Sequence, residues 1–212
     1  MGLLLDIHVH TRLHSPCSDI DPEALIRQAV KAGLDGLVIT EHGYQWRQAD
    51  LDDLVERSVE PSFLLMAGFE YTSLQGDMLI YGLSAEQVRA FVPGLPPEDA
   101  LEAVHHLGAV CVAAHPTRFG MGFDERLLSL PFEGMETQSC NLQTHEQRLA
   151  AQLASRVAIP AVAASDAHQL HSVGRYVTEF ADPIQSIDDL QDSLRRGTFR
   201  PVGYRRTKTR AG

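Results

Sequence analysis

The 212-residue sequence predicts an α/β protein whose sheet closes, or nearly closes, into a barrel. Three observations carry that expectation. Short apolar or β-branched runs alternate with helix-like stretches, the pattern of parallel strands joined by crossover helices. About seven such runs fall within a length that suits one domain, which favours closure over the alternative, an open doubly wound sheet. With 44% hydrophobic and 22% charged residues, the chain can bury a core and lacks the composition of a disordered segment.

The strand candidates, in order, are Leu3–Val9, Gly36–Thr40, Phe63–Phe69, Met78–Tyr81, Ala109–Ala114, Gly134–Thr137 and Ala161–Ala164. After the first, Asp21-Pro22-Glu23 opens an apolar-periodic stretch (Ala24, Leu25, Ala29, Val30) that stops near Gly33. Proline at the first helical position and glycine past the last are helix punctuation. Further helices are predicted over Gln48–Ser58, Pro97–Leu107, Asp124–Leu130, Thr144–Arg156 and Ser186–Arg196. The last of these has a serine N-cap and ends at Gly197. Residues 1–203 read as one domain, followed by a basic tail at 204–212 that should be solvated and frayed.

Charge and composition exclude several classes. The chain carries 18 basic against 28 acidic residues; setting aside Arg205, Arg206, Lys208 and Arg210 of the tail leaves 14 against 28. So acidic a body is a poor surface for duplex nucleic acid, which needs clustered Lys and Arg. The apolar runs Leu3–Leu5, Val110–Ala114 and Ile159–Ala164 fall far short of the roughly 20 residues of a membrane span. The amino end enters Leu3-Leu4-Leu5-Asp6 without a cationic region or cleavage site, so export is not expected. Cys17, Cys111 and Cys140 form neither a disulfide framework nor a CxxC zinc signature, which suits the reducing cytoplasm.

The chemistry lies at the carboxyl ends of the strands. The first ends Asp6-Ile-His8-Val-His10, and in a strand residues i and i+2 share a face, so His8 and His10 should point together, with Ile7 and Val9 towards the other layer. The second ends Thr40-Glu41-His42, the third Gly68-Phe-Glu70, the fifth at His115-Pro116, and the last at Ser165-Asp166-Ala-His168, again an i, i+2 pair. In a parallel barrel all these ends meet at one mouth. Five histidines with two carboxylates suit zinc, manganese or iron and exceed what one tetrahedral ion can use. A single HxH is a weak signal and a lone histidine is usually a surface residue, as His105, His106, His145 and His171 are read. Convergence of five strand ends is harder to explain without metal. Asp6, on the same side as His8, is expected to orient an imidazole from the second layer.

Together His8-Val-His10-Thr11, Thr40-Glu41-His42, Gly68-Phe-Glu70, Ala114-His115-Pro116 and Ser165-Asp166-Ala-His168 resemble the motifs of the PHP superfamily, the polymerase and histidinol phosphatase domains. They occur in the family's order over residues 6–168; each alone is unspecific and the five together are specific. The resemblance implies a distorted (β/α)7 barrel, two or three divalent ions (Zn, Mn or Fe) and hydrolysis of a phosphoester. By the same resemblance His8, His10, Glu70 and Asp166 would hold one ion. Glu70 would bridge to a second ion held also by His115, and His42 with His168 would hold a third.

Two positions depart from the family pattern. Where many members place a histidine after the bridging glutamate, this chain reads Gly76-Asp77-Met78, so Asp77 would ligate, the alternative being a plain turn aspartate. In the loop Arg12–Asp19, His14, Cys17 and Asp19 compete for one ligand position; Cys17, two residues past Ser15, matches the motif best, and its thiolate would suit zinc.

The implied activity is hydrolysis of a small phosphomonoester or nucleotide phosphate, by hydroxide generated on ions roughly 3.5–4 Å apart. Asp166 could take the proton of the attacking water; His168, or His42, could protonate the leaving alkoxide if the third ion is absent. Arg118 and Arg12 are candidates to neutralise the phosphate, with a surface role as the alternative for each. Thr11 and Thr40 read as strand-end structure. An amidohydrolase-like barrel is the second enzymatic reading. It often needs a carboxylated lysine from a middle strand, and the only lysines are Lys31, in a predicted helix, and Lys208, in the tail. A non-catalytic metal-binding accessory domain is the third reading. No phosphate loop, GxSxG elbow or dinucleotide fingerprint is present. The expected partner is a small phosphorylated substrate, with no membrane; oligomeric state is open.

Overall fold

The first strand, β1 (Leu3–Val9), sits inside the sheet, between β2 (Gly36–His42) and β8 (Val177–Phe180). The computed structural model describes residues 2–58, 63–124 and 126–203; the basic tail at 204–212 lies outside the described residues. The sheet continues through β3 (Leu64–Thr72), β4 (Asp77–Tyr81), β5 (Val110–Ala114), β6 (Gly134–Gln138) and β7 (Ala161–Ala163) on one side, and β9 (Phe199–Val202) on the other. Its order is β7-β6-β5-β4-β3-β2-β1-β8-β9. Helices α1 (Pro22–Ala32), α2 (Gln48–Arg57), α3 (Ala85–Ala90), α4 (Pro97–His106), α5 (Thr144–Val157) and α6 (Ile187–Arg196) cover it. Asp21 caps α1 by accepting from the Glu23 and Ala24 amides, and Gly33 ends it at φ 74°.

The α/β barrel class expected from the sequence is what the chain adopts, with three corrections in its parts. First, β4 runs antiparallel to both β3 and β5, so its amino end, not its carboxyl end, reaches the mouth. Second, the short strands β8 and β9 form an antiparallel hairpin against β1, making nine strands where seven were expected. Third, the helix expected over Asp124–Leu130 is a single 3-10 turn, Leu127–Ser129. The seam beside β7 is sewn by one side chain: Thr178 Oγ1 donates to the Ala163 carbonyl at 2.9 Å and accepts from the Ala163 amide at 3.1 Å. Beyond it, Val9 bridges Ala167. No helix among the described residues is long and apolar enough to cross a membrane.

Alternation sorts the strand residues between two sides. Val38, Met66, Leu79, Tyr81, Val112 and Val162 join Leu5 and Ile7 in the barrel interior, with Leu190 and Leu194 of α6 in the same cluster. Outward residues pack under α1 and α2 (Leu37, Ile39, Leu65) or under α4 and α5 (Ile80, Cys111, Met135). At the mouth, the inward series end in polar groups: Val38–Thr40–His42, Met66–Gly68–Glu70, and, read backwards on antiparallel β4, Tyr81–Leu79–Asp77.

Strand β1 breaks this alternation. Asp6 pairs with Leu37 but Val9 pairs with Ile39, so Ile7 and His8 together face the single residue Val38. This extra residue, a β-bulge, shifts the phase of the strand. Leu5 and Ile7 are inside before the bulge; after it Val9 is outside, and His8 and His10 face the interior. At the bulge the carbonyl of Ile7 accepts from the Tyr81 hydroxyl at 2.8 Å. Gly68 makes room for that tyrosine, because a Cβ there would lie 2.6 Å from the Tyr81 ring and 2.8 Å from the Ile80 carbonyl. Replacing Tyr81 with Phe removes this hydrogen bond from a buried carbonyl. We expect a loss of about 1–3 kcal/mol in urea unfolding of the metal-free protein; an unchanged midpoint would show that the bulge does not depend on Tyr81.

Candidate metal centre

Glu70 is the hub of the mouth. Its Oε2 lies 3.3 Å from His8 Nε2, 3.2 Å from His10 Nε2 and 3.2 Å from His42 Nδ1, while Oε1 lies 3.0 Å from His115 Nε2. Asp166 Oδ1 stands 3.3 Å from both His8 Nε2 and His10 Nε2, and the two imidazole nitrogens are 3.1 Å apart. All but His42 and His168 are buried. Ligand atoms within mutual reach fall into four overlapping groups: His8–His10–Glu70, His8–His115–Asp166, Glu70–Asp77–His115 and His10–His42–His168. Nitrogen and carboxylate oxygen in such overlapping sets fit zinc, manganese or iron, and a donor shared between groups fits bridged ions. Asp166 Oδ1 and His115 Nδ1 are buried atoms without a hydrogen-bond partner, and Asp166 Oδ1 stands among the clustered imidazole nitrogens. An ion would complete its environment.

Two of these residues hold strained backbone. His115 has φ 25° and Asp166 φ 49°, the left-handed region that costs a non-glycine residue about 1–3 kcal/mol. Alternation from buried, outward Ala113 would send His115 outward; its turned backbone brings the ring to Glu70 instead. Its amide donates to Glu136 Oε2 at 2.8 Å. Strand β7 ends at Ala163, so Asp166 and His168 do not form a strand pair. Asn141 fixes this segment: its Nδ2 donates to Asp166 Oδ2 at 2.7 Å and to the Asp166 carbonyl at 2.8 Å, leaving Oδ1 free to face the imidazoles.

Charge is balanced within the cluster. Burial alone would raise the Glu70 carboxyl, but the neighbouring His8 charge and hydrogen bonds from His10 and His115 hold it well below the usual range. Asp166 likewise resists burial and is lowered, chiefly by His8 and His10. Burial lowers His8, yet Asp166, Glu70 and Glu136 raise it well above its ordinary value; His115, opposed by burial in the same way, is raised by Glu70 to about 9. His42 and His168 are lowered, by partial burial first and then by the neighbouring histidine charges, which favours neutral, ligand-type imidazoles. Asp77 is raised by burial and by Glu70.

The mouth therefore gathers His8, His10, His42, Glu70, Asp77, His115, Asp166 and His168. Cys17 is exposed and belongs to none of the four groups; burial, with Glu70, Asp166 and Glu41, raises its thiol. His14 stacks on Tyr44 with ring centroids 3.6 Å apart, and neither it nor Asp19 joins a group. Arg12 is exposed and donates to Asp21 at 2.6 Å. Arg118 lines a cleft that also contains Asp77.

One expectation is overturned. Asp6 does not orient an imidazole: the bulge turns it to the other side, where it accepts from the Ser165 amide and the Gly174 amide, both at 2.9 Å. Burial raises its carboxyl to about 6. Glu136 takes the orienting position, with Oε1 3.1 Å from His8 Nδ1. Glu41 plays a matching part for His10. It accepts from the Thr11 amide, the Thr11 hydroxyl, Ser15 Oγ at 2.5 Å and Trp46 Nε1 at 3.1 Å, and Ser15 Oγ lies 3.3 Å from His10 Nδ1. Glu136 was legible as an acid in the middle of an apolar strand, a placement that demands a buried partner; Asn141 carried no such signal.

A barrel with this histidine–carboxylate mouth defines the class of metal-binding α/β barrels. Residues 144–199, which include Asp166 and His168, match the PHP-associated family model, PHP_C. The fold is similar to that of PsfC from Pseudomonas syringae, at TM-score 0.73 and 21% identity over 98% of this chain and 94% of that one. It is also similar to a protein of Bifidobacterium adolescentis assigned as a metal-dependent phosphoesterase, at TM-score 0.65 and 19% identity over 91% and 96%. A lesion-specific endonuclease of Pyrococcus furiosus, PfuEndoQ, superposes at TM-score 0.70 and 14% identity, over 95% of this chain and 58% of the endonuclease. The chain therefore shares the fold of these proteins and, over residues 144–199, resembles the PHP-associated family in sequence.

Because Glu136 orients His8 and Asp6 does not, Glu136→Gln should weaken Mn or Zn binding about 10–100-fold by calorimetry. Asp6→Asn should weaken it far less. The reverse ranking would restore Asp6 to the orienting role.

Proposed function

We propose that this protein is a metal-dependent phosphoesterase that hydrolyses a small phosphomonoester or nucleotide phosphate. The observation that carries the reading is the double use of Glu70, whose two oxygens face different sets of histidines. A bridging carboxylate in that position suits two adjacent ions, and the third group, His10–His42–His168, suits another. His8, His10, Glu70 and Asp166 would hold the first ion, Glu70, His115 and Asp77 the second, and His42 with His168 the third. Cys17 would ligate only after its loop moved. Divalent ions there supply Lewis acidity, neutralising phosphoryl charge and acidifying water near neutral pH.

The chain's own residues do the rest. Asp166 is held by Asn141 with one oxygen engaged and the other open, the arrangement of a carboxylate that accepts a proton at a fixed atom. His168 is partly exposed, with Nδ1 3.0 Å from the Asp166 carbonyl, and is the imidazole placed to deliver a proton to a leaving alkoxide when the third ion is absent. Arg118 makes no guanidinium hydrogen bond or ion pair among the described residues and is the cation we assign to the phosphate; Arg12 would first have to release Asp21. The amidohydrolase reading lacks its lysine among the described residues: Lys31 is exposed in the last turn of α1, and Lys208 lies outside the described residues. The acidic chain, at net −10, supports a small substrate over long nucleic acid, and its three free thiols suit a reducing cytoplasm.

Mn- or Zn-loaded protein should release phosphate from a panel of phosphomonoesters. His10→Ala and Asp166→Ala should each lower kcat/KM at least about 100-fold with the fold retained by circular dichroism. His145→Ala, on the exposed side of α5, should change it less than about twofold. Wild-type rates in either ligand variant would contradict the site, and turnover of amides but not phosphoesters would favour the amidohydrolase reading.

A further inference from the structure

Beside the metal centre the barrel carries a cleft of about 600 Å³, within the usual range for small-molecule sites. One wall is the turn between β3 and β4, which ends in the ligand Asp77; the other is the loop that leaves the ligand His115. Hydrogen bonds hold this second wall. The Arg118 amide donates to the His115 carbonyl at 2.9 Å, the Phe123 amide to the Pro116 carbonyl at 2.9 Å, and the Phe119 amide to Glu146 Oε1 of α5 at 2.8 Å. Phe123 ties the walls together by covering Gly76, where a Cβ would lie 2.6 Å from its ring.

The lining is amphipathic in a directed way. At the metal end stands Asp77, and Arg118, which makes no guanidinium ion pair among the described residues, lines the same cleft. Along the rest of the lining, Leu74, Met121 and Leu149 are 73%, 46% and 44% exposed. Single exposed hydrophobic residues are ordinary, but three around one cleft, on hydrogen-bonded backbone, amount to a preformed apolar surface. Arg118 is the only lysine or arginine in the described lining, so a second anionic group would find no partner there.

From this arrangement we infer that the cleft is the leaving-group subsite, and that the substrates are phosphomonoesters whose alcohol carries an uncharged apolar body, aryl or branched alkyl. The inference rests on the phosphoesterase reading for its phosphate end. The phosphate lies between the ions and Arg118, and the apolar body lies against Leu149, Met121 and Leu74. Continuity with the metal ligands Asp77 and His115 argues for a substrate rather than a protein partner on this surface.

The test separates binding from turnover. Metal-loaded protein is titrated by calorimetry with 2-phenylethylphosphonate and with methylphosphonate, which share the anionic head and resist hydrolysis. The larger probe should bind about tenfold tighter or more. Leu149→Asp and, separately, Leu74→Asp should erase most of that advantage while leaving methylphosphonate unchanged; Arg118→Gln should weaken both probes alike. Equal binding of the two probes, or an advantage untouched by both leucine variants, overturns the inference. So does self-association of the wild type that both variants abolish without affecting the probes, which would give the surface to a second copy. Hydrolysis of 2-phenylethyl phosphate is measured in parallel. Turnover without a preference over glycerol 3-phosphate sinks the subsite and spares the phosphoesterase reading. Selective probe binding without turnover of any ester sinks that reading and spares the subsite.

Discussion

One extra residue in β1 governs the rest of the molecule. A regular strand that placed Leu5 and Ile7 inside the barrel would place His8 and His10 outside it. The bulge opposite Val38 lets one strand contribute two apolar residues to the interior and then two imidazoles to the mouth above it. Tyr81 braces it from β4 across the interior, its hydroxyl donating to the Ile7 carbonyl. Tyr81 in turn requires the space that Gly68 leaves on β3. The same strand that provides Gly68 provides Glu70 two residues later, on the same face. Packing below the site and ligand placement within it are therefore set by one short chain of contacts.

Above that floor the dominant constraint is electrostatic. Carboxylates and imidazoles stripped of water are tolerable only when each compensates another or an ion does so. Here the histidines hold Glu70 and Asp166 below the usual carboxylate range, and those carboxylates raise His8 and His115. Orientation is secured one layer out, by Glu136 behind His8, Glu41 and Ser15 behind His10, and Asn141 behind Asp166. The left-handed backbone at His115 and Asp166 shows the same priority: two strand ends depart from relaxed geometry to point their side chains into the mouth. His42 and His168 are the members of the cluster that reach solvent.

How much of this was legible in the sequence depended on whether the signal was local. Apolar runs ending in histidine or acid located the strand ends, and their convergence followed from closing a sheet; the clustered residues are those runs' polar termini. Asp77 reached the cluster by a route the sequence did not show, because nothing in Met78–Tyr81 says whether a strand runs up or down. Period-two reasoning misassigned Ile7 and Asp6, since a bulge has no signature in Asp6-Ile-His8. The strands Val177–Phe180 and Phe199–Val202 are four residues each and too short to stand out, and they exist by pairing with β1 and each other. Apolar residues at 127, 128 and 130 suggested a helix where the chain makes one 3-10 turn. Cys17 matched a motif by spacing, but its loop leaves the thiol in solvent while His10, His42 and His168 gather without it.

The claim on which everything else rests is that these buried donors exist to hold ions. Elemental analysis of protein purified without added metal and without a histidine tag tests it most directly, because it requires no guess about substrate. The account predicts about two to three equivalents of Zn, Mn or Fe per chain, with fewer in His8→Ala and Asp166→Ala. Protein that contains no metal, and takes up none when soaked in Mn or Zn, would contradict it.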